Sequence, residues 1–283
     1  MKNIKKWITS PIATVLLFVA AAGLLLFSTI GGARAAFLAI SETYTGQVEM
    51  YDIGVSLVEK SAHDDKSHIV AYRDYVKNSQ DQWRETPGQV GKLLDNLLEK
   101  DNQGKTIEKF VPGKTYSEEL SVRNSGTINE WVRVTIYKYW SQDPTYVRQP
   151  GVTPTMYPSL IKLGYTNLDS GDGKGDWILD KEASSQTEER TVYYYNKLLE
   201  AGKETSLLTD KIWVDDYVAS KVSQSTEEKD GYKKIITTYD YNGWQFCIEA
   251  TVDAVQERNA VDAIKSAWGR DVSFRDDGTM VLE

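Results

Sequence analysis

Apolar residues are concentrated at the start of the chain, in a run that differs from everything after it. Residues 7–33 form 27 consecutive positions without a charged side chain, and the lysines Lys2, Lys5 and Lys6 precede them. A basic start followed by a long apolar stretch is typical of an export signal. A run of this length can also span a bilayer, since about 20 apolar residues suffice. We therefore predict an N-terminal signal helix, with a retained membrane anchor as the alternative.

Small residues at the end of this run favour cleavage over retention. The Ala-x-Ala pattern that a signal peptidase accepts is supplied by Ala33, Ala35 and Ala36. We place the signal peptide at residues 1–35, with cleavage near the 35/36 bond, and the exported domain at residues 36–283.

Past residue 36 the chain alternates between apolar and polar positions, which is typical of half-buried strands. The clearest pair covers residues 116–123 and 131–140, on either side of a Gly-containing turn at 124–127. We predict that these two strands form an antiparallel hairpin. Further strands are predicted at residues 47–58, 159–164, 177–179, 191–195, 206–214, 232–239 and 244–254.

The strand predicted at 244–254 shows the alternation most fully. One face, which we assign to the core, carries Trp244, Phe246, Ile248, Ala250 and Val252. The opposite face carries Gln245, Cys247, Glu249 and Thr251. We therefore expect Cys247 on the solvent side of the sheet.

Two segments change to helical spacing. Leucines recur at this spacing after Pro87 and Gly88, and they predict a short amphipathic helix around residues 88–100. A second helix is predicted around residues 259–268, with Asn259 as its N-cap. Residues 59–87 are polar and mixed.

Many short strands, frequent turns and two short helices predict a mainly β fold. We expect an antiparallel β-sandwich of jelly-roll or immunoglobulin-like type with short helical insertions, preceded by the N-terminal signal helix. No internal repeat or linker divides residues 36–283. The exported part is therefore predicted to be a single domain.

Composition narrows the classes of partner. The whole chain has 33 basic and 41 acidic residues. Residues 1–35 hold four of the basic residues and no acidic residue, so the exported part has a net charge of 29 − 41 = −12. Such a charge opposes binding to phosphate backbones and to anionic membrane surfaces. We expect no nucleic-acid partner, and membrane contact only transiently through the signal segment. Cys247 is the one cysteine, which excludes a disulfide within the chain.

Only two imidazoles are available for chemistry, His63 and His68. Their spacing places them about 500° apart around a helix, so they do not share a face. The His-Glu-x-x-His pattern of zinc proteases is absent. We interpret the pair as part of a solvated loop and predict no metal site there.

A glycine-rich segment supplies weak calcium candidates, Asp169, Asp172 and Asp176. Carboxylates between glycines suit a loop that wraps around calcium, but the closing bidentate Glu of a calcium loop is missing. Such Asp-Gly sequences are also ordinary turns between strands. We favour the turn.

No sequence motif indicates an enzyme. The nucleophile elbow, the phosphate-binding loop and the dinucleotide fingerprint are all absent, so we assign no catalytic residue and no cofactor. Tyr193, Tyr194 and Tyr195 could stack on sugar rings. Alternate residues of a strand point to opposite faces, however, so core packing is the favoured interpretation.

Two segments carry a resemblance to a known family. The first is the cleavage region at residues 31–37, which reads GGARAAF, followed by residues 41–43 and 46–50. The second contains a Val-Pro-Gly turn at 111–113 and the strand and turn residues 120–127, and it continues through residues 131–134. Both resemble the TasA and camelysin group of bacterial exported proteins. The resemblance covers roughly residues 5–58 and 110–140.

The resemblance implies a function outside the cell. Members of this group are processed by a signal peptidase of the SipW type, and TasA-like members form extracellular-matrix fibres on Gram-positive bacteria. The implied partners are that peptidase and further copies of the chain or related matrix subunits. Camelysin-like members have been called metalloproteases, but this chain has no recognisable set of metal ligands.

In fibres of this family an extended N-terminal segment of one subunit fills an open sheet edge of the next. The matching segment here is residues 36–40, in which Phe37, Leu38 and Ile40 are apolar. We regard it as a candidate donor strand; the alternative is that it folds back as an edge strand of its own domain. The sequence thus favours a secreted surface or matrix structural protein. A metal-dependent protease and a glycan-binding surface module are the alternatives.

Overall fold

A computed structural model describes residues 15, 18–21, 52–63, 66–74, 93–143, 145, 148, 156–171, 173–229 and 232–283. Val15 and residues 18–21 are helical. The chain divides into two compact units, Met1–Met50 and Tyr51–Glu283. The predicted cleavage region at Ala33, Ala35 and Ala36 and the candidate donor strand lie outside the described residues. Among the described residues, no helix combines the length and the apolar character required to cross a bilayer.

The second unit is an antiparallel β-sandwich, which confirms the predicted fold class. Its five-stranded sheet contains, in spatial order, β2 (His68–Asp74), β1 (Gly54–Ser61), β3 (Tyr116–Asn124), β8 (Thr209–Val214) and β5 (Ile161–Tyr165). Its four-stranded sheet contains β11 (Gln245–Gln256), β4 (Glu130–Ser141), β7 (Arg190–Tyr195) and β6 (Trp177–Asp180). The jelly-roll connectivity stays a prediction.

Smaller elements surround the two sheets. Two hairpins are formed by β9 (Val222–Lys229) with β10 (Tyr232–Tyr239), and by β12 (Val272–Phe274) with β13 (Met280–Leu282). The described helices of this unit are a 3-10 turn (Pro158–Leu160), α1 (Tyr217–Ser220) and α2 (Ala260–Trp268).

The main core lies between the two sheets. Alternate residues of each strand point into it, such as Leu57 on β1 and Val134 on β4. Trp177 and Tyr193 of the four-stranded sheet are its largest members and are almost fully buried. This burial of apolar surface is the main source of stability for a chain without disulfides.

A second core covers the outer face of the four-stranded sheet. Trp131, Val192 and Tyr194 point outward from the sheet and pack against Ile264 of α2 and Met280 of β13. Both faces of this sheet are therefore buried, and residues 252–255 of β11 are buried on both sides. The expectation of one core face and one wet face is wrong for this half of the strand, and residues 246–250 are partly buried on both faces.

The predicted hairpin between residues 116–123 and 131–140 is wrong. Both strands exist as β3 and β4, but β3 pairs with β1 and β8, whereas β4 pairs with β11 and β7. The turn between them crosses from one sheet to the other. It is attached to the start of β1, because Ser125 N–H donates to Gly54 O and Thr127 N–H donates to Asp52 O.

Asn124 and Gly126 explain this crossing. The buried Asn124 side chain donates to the carbonyl oxygens of Ile128 (2.8 Å) and Leu199 (3.0 Å) and accepts the Gly126 N–H (2.8 Å). A Cβ on Gly126 would lie 2.5 Å from the Asp52 carbonyl oxygen. The glycine therefore permits close approach of two backbones, where we expected it to close a hairpin.

Replacing Asn124 by alanine is expected to lower the free energy of unfolding by about 2 to 4 kcal/mol, because one buried and two partly buried backbone groups lose their partner. Urea denaturation followed by circular dichroism measures the change. Asn242→Ala, at an exposed asparagine, is the matched control and should change stability by less than about 0.5 kcal/mol. Equal effects of the two substitutions would contradict this account of the crossing.

Other local predictions also need correction. The described part of the predicted helix at 88–100 consists of turns and bends, and Leu94 has a φ of 66°, which no α-helix contains. The helix predicted at 259–268 corresponds to α2, but the Asn259 side chain makes no capping bond. Strands β2, β9, β12 and β13 were not predicted.

Candidate functional site

Aromatic side chains line a groove at the end of the sandwich where β4 finishes and β11 begins. The cavity measures about 370 Å³. We call it the aromatic groove, and its lining residues are Phe110, Pro112, Trp140, Val214, Val218, Ala219, Tyr239, Tyr241, Asn242, Trp244 and Phe246. None of them carries a formal charge.

The β10–β11 turn and the strand ends on either side of it supply four of the six aromatic rings. Asn242 N–H donates to Tyr239 O (3.0 Å) and Trp244 N–H donates to Tyr241 O (3.2 Å). Gly243 adopts a φ of 80° within this turn, a conformation that favours glycine. Two successive tight turns therefore bring Tyr239, Tyr241 and Trp244 to one side of the sandwich.

Trp140 at the end of β4 forms a fixed wall of the groove. Its indole N–H donates to the Tyr157 carbonyl oxygen (2.9 Å). Its ring lies 4.9 Å from the Tyr241 ring in an edge-on arrangement, and 6.4 Å from the Phe246 ring. Edge-on contacts at these distances are favourable for aromatic pairs, so the wall is preformed.

Three exposed tyrosines stand around the aromatic groove. Tyr157 is 60% exposed, Tyr239 57% and Tyr217, on α1, 43%. Lys221 Nζ lies 3.0 Å from the Tyr217 hydroxyl, and this hydrogen bond raises the pKa of Lys221. The rim thus offers aromatic faces and phenolic hydroxyl groups to solvent together.

A second apolar groove adjoins the first and shares Phe110 and Phe246 with it. We call it the leucine groove; its volume is about 440 Å³, and it is lined by Leu93, Leu94, Leu97, Leu98, Phe110, Tyr139, Phe246, Cys247 and Ile248. The segment that carries the leucines, residues 93–98, is attached to β1 by two hydrogen bonds. Leu94 N–H donates to the Glu59 carboxylate (2.6 Å), and the Ser61 hydroxyl donates to Asn96 O (2.8 Å).

Two buried acidic side chains lie beneath this segment. Glu118 on β3 is fully buried, and Glu59 on β1 is 3% exposed. Burial, and secondly the neighbouring Glu59 carboxyl, raise the pKa of Glu118 to about 11. The Glu118 side chain is closed off from solvent, so a substrate has no access to this pair in the structure as it stands.

Both grooves meet at the first residues of β11, which ends the four-stranded sheet in the described part of the chain. β11 pairs with β4 over all 12 of its residues. Its other edge pairs with no strand among the described residues. Toward its end, Asp253 forms ion pairs with Arg73 of β2 and with Arg133 (2.7 Å), so the more accessible half is the one beside the grooves.

The calcium candidates do not form a coordination site in the part that the structure describes. One Asp169 carboxylate oxygen accepts the backbone N–H groups of Gly171 (2.8 Å) and Gly173 (2.9 Å). Asp176 forms an ion pair with Lys197 (2.6 Å). Asp172 lies outside the described residues. These contacts are those of a turn.

The two histidines lie in different elements, and only His63 lies in a solvated loop as predicted. His63 follows β1 and lies 3.5 Å from the Glu108 carboxylate, while His68 begins β2. Within the described ranges, no group of three or more His, Cys, Asp or Glu side chains is placed to hold a metal ion.

Cys247 and the tyrosine triplet take up packing positions. Cys247 is half-buried, so it is less exposed to solvent than we predicted. Burial raises the pKa of its thiol, which lowers the fraction of reactive thiolate. Tyr193 and Tyr195 lie in the main core and Tyr194 in the outer core, so this triplet offers no face to a sugar.

Sequence reasoning missed the aromatic groove, although one signal for it was present. Four aromatic residues occur within residues 239–246, on either side of an Asn-Gly turn. The rest of the lining comes from distant segments. Comparison of the chain with protein-family models, with curated proteins and with solved structures finds no match.

Proposed function

We propose that the chain is a secreted structural protein of the cell surface or extracellular matrix, which assembles by strand pairing between copies. The observation that carries this proposal is the position of β11, a 12-residue strand that ends the four-stranded sheet in the part of the chain that the structure describes. An edge strand presents a row of backbone donors and acceptors that another chain can pair with. Many proteins add a strand to such an edge.

The side chains at this edge support the same proposal. Phe246, Ile248 and Ala250 pack against the main core but stay only partly buried. A strand added beside β11 would cover them and increase the apolar area removed from water. The adjoining leucine groove extends this apolar surface.

The proposed donor is the segment at residues 36–40. Cleavage near the 35/36 bond by a signal peptidase of the SipW type would place this segment at a free terminus. Burial of Phe37, Leu38 and Ile40 would contribute about 1.5 to 3 kcal/mol for each side chain. Nothing among the described residues favours the metal-dependent protease, since they contain no cluster of metal ligands.

The proposal is tested with the mature chain, residues 36–283, and a variant in which Phe37, Leu38 and Ile40 are replaced by serine. Light scattering and size-exclusion chromatography should show polymer for the parent and a loss of at least about tenfold for the variant. The matched control replaces Ala36 and Ala39 by serine and should polymerise like the parent.

Two results would overturn the proposal. One is a parent chain that stays monomeric over the whole accessible concentration range. The other is undiminished polymer after the triple substitution. N-terminal sequencing of exported protein gives the cleavage bond independently.

A further inference from the structure

The aromatic groove has features that strand pairing does not require. We propose that it is a binding site for a neutral polysaccharide, whose sugar rings stack on Tyr239 and Trp244. The proposal does not rest on self-assembly, because the rings belong to the β10–β11 turn and to β4, and they are present in each single copy.

The charge of the lining selects the class of ligand. A quarter of all residues in the chain are charged, at 26%, yet the 11 lining residues include no acid and no base. A charged ligand would find no opposite charge within this groove. The exported part has a net charge of −12, which further disfavours the binding of anionic polymers. A neutral ligand fits both observations.

The hydrogen-bonding groups indicate a ligand with many hydroxyl groups. A sugar ring has apolar C–H faces and a polar edge of hydroxyls. Tyrosine and tryptophan match this arrangement because each combines an apolar ring with a polar group at its tip. Asn242 is exposed at the same turn, and its amide offers both a donor and an acceptor.

The exposed rim separates a sugar from an apolar peptide as the occupant. Tyr157, Tyr217 and Tyr239 keep between 43% and 60% of their surface in contact with water. Their rings form an extended surface around the groove, and an apolar peptide lying on it would take the Tyr157 and Tyr239 hydroxyl groups out of water without offering them hydrogen bonds. The leucine groove, which has mostly aliphatic lining, is the better match for an apolar segment.

Size and rigidity are consistent with a ligand site. The volume of about 370 Å³ falls within the range of about 300 to 1,000 Å³ that is typical of ligand clefts. Trp140 is held by its bond to Tyr157 O and by its ring contact with Tyr241. Phe110 is stacked on Tyr116 at 4.8 Å. A site that is already ordered loses less entropy on binding.

The test uses the mature chain and four soluble probes: cellohexaose, xylohexaose, mannohexaose and chitohexaose. Isothermal titration should give saturable binding of at least one probe, together with a change in tryptophan fluorescence from Trp140 and Trp244. Affinity should be the same at about 50 and 500 mM salt, since no charge in the lining takes part.

Two variants and a control locate the site. Tyr239→Ser and Trp244→Ala should each weaken binding by about tenfold or more. Tyr72→Ser alters another exposed tyrosine, 39% exposed on β2, and should leave affinity unchanged. Near-ultraviolet circular dichroism checks that each variant is folded.

The outcomes are decisive in either direction. Absence of binding to all four probes overturns the proposal, and so does binding that survives both groove substitutions. If the groove variants bind sugar normally but lose polymer, the groove is a contact between copies and the proposal is wrong. If they lose sugar binding and keep polymer, the two functions are separate and the proposal is supported.

Discussion

Replacing Glu118 by glutamine is expected to stabilise the protein at neutral pH. The pKa of Glu118 is raised from 4.5 to about 11, first by burial and then by Glu59. Between these two values the folded state holds a proton that the unfolded state has released. The contribution of Glu118 to the free energy of unfolding is therefore greatest below pH 4.5 and falls as pH rises toward 11. At pH 7 the loss is on the order of 3 kcal/mol.

Glutamine retains the shape of the protonated acid and cannot lose the proton. We expect Glu118→Gln to recover most of this free energy at pH 7 and to flatten the decline of stability with pH. Urea denaturation at pH 6, 7.5 and 9 measures both effects. The matched control is Glu119→Gln, one residue along β3 on the opposite face. If the pH dependence of stability is unchanged in the Glu118 variant, the Glu118 carboxyl does not cause the decline of stability with pH.

Replacing Trp177 by alanine is expected to cause the largest loss of stability, about 3 to 5 kcal/mol. The Trp177 side chain is fully buried in the main core, its ring lies 5.2 Å from that of Tyr195, and its indole N–H donates to Ser206 O (3.1 Å). Alanine would leave a cavity between the sheets and would leave the partly buried Ser206 carbonyl without this donor.

Trp213→Ala provides the comparison for Trp177. Trp213 lies on β8, is only half-buried and belongs to neither core. Its removal should lower the free energy of unfolding by less than half as much. Thermal unfolding followed by circular dichroism suffices for the measurement. If the two variants have similar stability, the core between the sheets does not carry the stability that we assign to it.

The strands could be predicted from the sequence where one face of the strand meets a core. Alternation revealed β3, β4 and β11. Strand β9 was missed because it has almost no apolar residue and lies in a hairpin outside both main sheets. A period of two appears only when burial imposes it.

The sequence pattern could not predict which strands pair with each other. The Asn-x-Gly turn after β3 has the composition of a hairpin turn, but Asn124 uses its side chain to hold Leu199 and Ile128. Turn composition does not report such distant partners. For the same reason the aromatic groove stayed hidden, since Phe110, Trp140 and Val218 are far apart in the chain and meet only after folding.

The position of β4 has a consequence for how the chain is made. Val134 of β4 pairs with Tyr193 of β7 and with Val252 of β11, and both partners are synthesised later. During synthesis, therefore, the apolar strand β4 emerges before both of the strands that flank it in the sheet. Pairings this distant in sequence form slowly, and exposed apolar strands aggregate in the meantime. The four-stranded sheet therefore cannot be completed before β11 has been synthesised.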